Sequence, residues 1–183
     1  MAKLHNDRYE EIKEIITDLF ESLQISAVPI DCFNIAKRLG FDIVPYSSLP
    51  KKTLDLVRNS GGGDAYTLIT RDDNKYIFYN DDAIIGRVRF TIMHEVGHYI
   101  LGHLEESDLA HSEADFFAKY ALAPMPIIHS CKIESYVDIK NIFNVSNECA
   151  SNIMDSYLKW LEYGPKGYTC YENRIIELFR LAS

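Results

Sequence analysis

The segment FTIMHEVGHYILGH, Phe90 to His103, sets His94, Glu95 and His98 in a run of otherwise apolar residues. On a helix, residues four apart are turned by only about 40° and lie one turn apart, so His94 and His98 can aim both imidazoles at one point. That is what a zinc ion needs from two of its protein ligands. Glu95 falls between them in angle, where its carboxylate can take a proton from an attacking water and pass it to a leaving amine. The five letters HEVGH are a modest signal alone, and their surroundings strengthen it. RVRFTIM before and YIL after make the helix almost apolar all round, and ionisable side chains buried there are costly unless something compensates them. A metal ion does so directly. The small residues Val96 and Gly97 leave room for a neighbouring strand to approach.

A catalytic zinc site takes a third protein ligand and keeps one position open for water. His103, five residues after His98, is turned by about 140° on a continuing helix, off the metal face. It reads as a solvated residue or an outer partner of the site. Leu101 and Leu104 stand where the metzincin pattern has a glycine and a histidine. The better third ligand is Glu113 in HSEADFFAKYALAP, fifteen residues beyond His98, far enough for the chain to turn and return alongside. Asp115 lies about 200° round from Glu113, and His111 meets the same difficulty two residues before it. Glu105, Glu106 and Asp108 read as a solvated acidic turn.

These residues need elements to hold them. Ile12, Ile15, Ile16, Leu19, Phe20 and Leu23 recur at helical spacing and predict an amphipathic helix over roughly residues 6 to 23. Asp31 caps a short helix that Gly40 stops, and FDIVPY is a strand that Pro45 cuts short. AYTLIT and KYIFYN, joined by RDDN, form a hairpin, with the glycine run NSGGGDA as the loop that enters it. The motif helix spans about Asp82 to Leu101 and ends near Gly102. A third long helix runs from about Asp108 to Leu122 until APMP stops it. The fold class expected is α+β, mainly helical, with a small antiparallel sheet.

A chain of 183 residues with a net charge of −8 is poorly suited to general nucleic-acid binding. Cys32, Cys131, Cys149 and Cys170 form no C-x-x-C pair and read as core residues or spare thiols of a reducing compartment. Acids stand where a signal peptide has its apolar run, and no apolar stretch reaches membrane-spanning length; the expected location is the cytoplasm.

VPIDCFNIAKRLGFDIVPY, YIFYND, RVRFTIMHEVGHYILGH and SEADFFAKYALAP together resemble the ImmA/IrrE family of zinc metallopeptidases over most of residues 25 to 125. The resemblance implies a zincin-like peptidase domain over residues 1–124, with His94, His98 and Glu113 as metal ligands and Glu95 as general base. Asp115 takes a supporting role. The implied cofactor is Zn2+, with another divalent ion such as Mn2+ as the alternative. The implied partner is a protein substrate: family members include proteases that cut helix-turn-helix repressors of prophages, mobile elements or stress regulons and so relieve repression.

Residues 125–162 contain a helix, a turn at Asn144 to Ser146 and a second helix capped by Ser146, with Ile139, Ile142, Phe143, Val145, Ala150, Ile153 and Leu158 turned inward. This resembles a helix-turn-helix. Its second helix offers Asn147, Glu148, Ser151, Asn152 and Asp155 to solvent and no cation before Lys159, so packing or substrate docking is favoured over DNA reading. Residues 163–183 form a tail that packs on the domain. Two other readings stay open: a regulatory protein with structural zinc that binds a repressor or DNA without cutting, and a toxin-like metal hydrolase.

Overall fold

Helical periodicity at the N-terminus is realised as α1 (Asn6–Ser22), which buries Ile12, Ile16, Leu19 and Phe20. This computed structural model describes residues 4–59, 63–105, 107–164 and 166–180. Ser60, Gly61 and Gly62 of the glycine loop, Glu106 of the acidic turn and Pro165 of the tail lie outside the described residues. In α2 (Cys32–Arg38) the Asp31 carboxylate accepts from Asn34 N at 3.0 Å. Gly40 follows with φ +89°, a left-handed turn that glycine takes without a Cβ penalty.

Strand β1 (Phe41–Pro45) leads to a helix that the sequence pattern did not announce, α3 (Lys51–Asn59). The hairpin follows as β2 (Ala65–Ile69) and β3 (Lys75–Tyr79), antiparallel in the register Thr67↔Ile77. The order is β1-β3-β2, and β1 joins β3 in parallel with Ile43 opposite Ile77. The sheet is therefore mixed, because the crossover a parallel pair needs is supplied by α3 and β2. KYIFYN is its central strand and AYTLIT an edge. Ile77, wholly buried, lies on the face that receives the motif helix.

That helix is α4 (Ile85–Ile100), ended by Gly102 at φ +70°. Beside it packs α5 (Asp108–Leu122), and a Cβ on Gly97 would meet the Phe117 ring at 3.1 Å. The neighbour that Gly97 admits is thus a helix, not a strand. Proline at its start makes α6 (Met125–Ser130). Next come α7 (Tyr136–Phe143) and α8 (Asn147–Tyr163), separated by Asn144 in a left-handed turn, with Ser146 Oγ accepting from Cys149 N at 3.2 Å. Of the inward positions expected here, Ile142 and Leu158 are exposed, and Cys149 and Tyr157 are buried instead. The buried stripe of α8 runs Ala150, Ile153, Tyr157, which turns Leu158 about 100° away. The tail folds as α9 (Cys170–Arg180).

The turn between α7 and α8 is docked on the first turn of α4. A Cβ on Gly86 would lie 2.5 Å from Ser146 N and 2.6 Å from Val145 C. Buried Arg89 reaches across to donate to Ile30 O at 2.7 Å and Phe143 O at 3.3 Å. The four cysteines are free, and burial pushes the Cys32 and Cys149 thiols up to about 11. Among the described residues no helix is long and apolar enough to cross a membrane.

Candidate metal centre

One turn of α4 separates His94 from His98, and their Nε2 atoms lie 3.0 Å apart. His111, from the start of α5, brings Nδ1 to 3.5 Å from His94 Nε2 and stacks on that ring at 5.7 Å. His94, His98 and His111 each offer one ligand atom, all within 4.8 Å of one another, and so could hold a metal ion.

The outer nitrogens show which lone pairs face inward. His94 Nδ1 lies 2.9 Å from Asp115 Oδ1, so that nitrogen carries the hydrogen and Nε2 is left as an acceptor. His98 Nδ1 lies 2.9 Å from His103 Nδ1, and His103 Nε2 lies 3.0 Å from Glu113 Oε2. A carboxylate only accepts, so His103 keeps its hydrogen on Nε2 and receives one from His98 Nδ1. With both rings neutral, as ligation requires, two bare Nε2 lone pairs point at each other across 3.0 Å. Nothing between neutral imidazoles favours that approach. A tetrahedral ion with zinc–nitrogen bonds of 2.0–2.1 Å requires ligand nitrogens about 3.3 Å apart. The donor set therefore fits a divalent metal.

Electrostatics agrees with this assignment. Burial, then the neighbouring imidazoles of His94, His103 and His111, lowers His98 to about 4, so it is neutral and ready to ligate at pH 7. Burial pushes the Asp115 carboxyl up, but its bond to His94, with nearby Lys119 and His111, holds it below the usual carboxylate range. Glu113 is held below that range chiefly by the Arg8 guanidinium, against the opposing effect of burial.

The sequence-derived residues separate into two groups. His94 and His98 converge. Glu113 lies elsewhere: its Oε2 receives Arg8 Nη2 at 2.5 Å and His103 Nε2 at 3.0 Å. His111 and Asp115, four apart on α5, face α4 together, one at the inner nitrogen of His94 and the other at its outer nitrogen. His103 takes the outer-partner position. Glu95 accepts from Thr67 Oγ1 on β2 at 2.6 Å. Neither Thr67 nor Arg8 stood out in the sequence, because each reaches the site across a long loop or from a distant helix. A cavity of about 250 Å³ opens against Asp115 between α4, α5 and α8, lined also by Phe90, Lys119, Glu148 and Asn152.

Residues 36–152 match the family model Peptidase_M78, described as the IrrE N-terminal-like domain. No curated protein and no solved structure matches the chain.

Proposed function

The chain belongs to the Peptidase_M78 family, the IrrE N-terminal-like domain, and on that premise we propose that it is a zinc-dependent endopeptidase that cuts a helix-turn-helix transcriptional repressor. One observation carries the metal-dependent part: the Nε2 atoms of two imidazoles lie 3.0 Å apart, with a ligand atom of a third imidazole within 4.8 Å of both. We assign His94, His98 and His111 as the ligands. Glu113, the ligand expected from the sequence, is committed instead to Arg8 and His103. When bound, zinc supplies the Lewis acid that polarises water and the scissile carbonyl.

The remaining chemistry belongs to the side chains. Glu95 takes the proton of the attacking water and delivers it to the leaving amine. Thr67 holds one of its carboxylate oxygens and fixes the rotamer. Because Thr67 sits on β2, an edge strand, a substrate segment added along that edge runs past the base in extended form. Asp115 holds the His94 ring in the orientation that ligation needs. The helices α7 and α8 are read as part of the substrate-facing wall, since their turn is docked on α4 and Glu148 and Asn152 line the cavity beside Asp115.

The experiment pairs the purified protein with a candidate small helix-turn-helix repressor. The parent loaded with zinc gives one discrete cut. Glu95→Gln retains zinc and gives none, and His111→Ala loses both zinc and cleavage. A repressor held intact in a stable complex with the zinc-loaded parent overturns the protease reading.

A further inference from the structure

We propose that Arg8 is a positioning residue of the metal centre, acting on His98 through Glu113 and His103 from a helix outside the matched residues 36–152. This rests on the reading of His98 as a metal ligand. The chain of contacts is continuous. Arg8 Nη2 donates to Glu113 Oε2 at 2.5 Å, His103 Nε2 to the same oxygen at 3.0 Å, and His98 Nδ1 to His103 Nδ1 at 2.9 Å. Each link fixes the next: the carboxylate places the His103 hydrogen on Nε2, and the bare Nδ1 left on the other side of the ring sets the plane in which the His98 ring must lie.

The two imidazoles of α4 are therefore held differently. His94 is oriented directly by Asp115, within the matched residues. His98 is oriented at one remove, and its last anchor is a cation delivered by α1. The delivery is rigid. Tyr9, next to Arg8, packs edge-on against Phe116 of α5 with ring centroids 4.6 Å apart, and Arg8 Nη1 is 2.8 Å from Glu11. The Glu113 side chain is only 9% exposed, so without Arg8 it is left with a carboxylate that its one remaining imidazole partner does not neutralise. It then turns toward water and releases His103. Outer partners of metal-ligating histidines typically affect metal affinity by about 10- to 100-fold.

The test measures the zinc affinity of the full chain by competition with a chelator. Arg8→Met keeps the apolar stem, removes the guanidinium and is expected to weaken zinc binding by about tenfold or more. Arg8→Lys, which restores charge without the planar fork, recovers part of the loss. The control is Arg174→Ala. Arg174 pairs with Asp18 and Glu21 and so tethers the same helix α1 elsewhere. Its loss is expected to leave zinc affinity within about twofold of the parent. The visible spectrum of the cobalt-loaded protein should change in Arg8→Met and not in Arg174→Ala. Unchanged affinity in Arg8→Met, with a parent that binds zinc stoichiometrically, overturns the relay alone. An equal loss in Arg174→Ala shows that only the docking of α1 matters and also overturns it. A parent that binds no zinc overturns the ligand assignment of His98 itself.

Discussion

Glu95 is held by a hydroxyl from the sheet, and that gives the residue scale a sharp prediction. Thr67→Val conserves shape and removes the hydrogen bond at 2.6 Å. Hydrogen bonds to charged groups contribute about 1.5–3 kcal/mol, so a base left free to sample other rotamers should lower kcat by about tenfold or more. Zinc content should stay at the parental level, because Thr67 touches no imidazole of the cluster. Equal kcat in the two proteins would show that Thr67 has no hold on the reaction. The third ligand proposed above, His111, shows the limit of reading single residues. Helix angles separate Glu113 from His111 and Asp115, but they do not say which of the two faces turns toward the inner nitrogens of His94 and His98. In the structure Glu113 instead meets Arg8, 105 positions before it, at 2.5 Å. Nothing in the local pattern SEADFFA carries that information.

Gly86 decides how two elements meet. A helical glycine replaced by alanine ordinarily gains up to about 1 kcal/mol, through propensity and a less free unfolded chain. Here the added methyl would lie 2.5 Å from the backbone nitrogen of Ser146 and 2.6 Å from the carbonyl carbon of Val145, and backbone cannot rotate aside. Gly86→Ala should therefore destabilise the fold by about 1–3 kcal/mol, the usual range for overpacking, read from the urea midpoint. A rise in that midpoint would mean that the α7–α8 turn is not docked on α4. Elements with a wide apolar stripe and clear stop signals were legible: α1, α4, α5, the hairpin, and the pair α7 and α8. Helix α3 was not. Its apolar residues are Leu54, Leu56 and Val57; Leu54 and Val57 share one face, but Leu56 is 68% exposed, and nine residues carry too short a stripe to read. The parallel pairing of β1 with β3 was also hidden, because it joins segments separated by α3 and β2 and leaves no local signature.

At the scale of the molecule, one apolar cluster runs from Leu4 and Ile12 in the N-terminal segment through Ile92 and Phe117 to Phe143, Ile153 and Ile176. The division of the sequence at about residues 124 and 162 thus cuts through shared core. Helices α1 and α9 are clasped as well. Tyr171 Oη donates to Glu10 at 2.5 Å, and Arg174 of α9 bonds to Asp18 and Glu21 of α1. Trp160, the single tryptophan, donates Nε1 to Glu172 Oε1 at 2.7 Å, and Glu172, 1% exposed, also accepts from Thr169 N. Its fluorescence therefore reports the junction of α8 with α9, whereas far-ultraviolet dichroism reports helices throughout the chain. Proteins with one contiguous core unfold with coincident transitions by different probes. The two signals should accordingly share one urea midpoint, and it should rise with zinc, since an ion that binds only the folded state stabilises all that is coupled to it. A fluorescence transition that precedes the dichroism and ignores zinc would show that α8 and α9 part from the peptidase as a separate unit. In that case the clasp of α9 on α1 would contribute nothing to the unit that carries the metal centre.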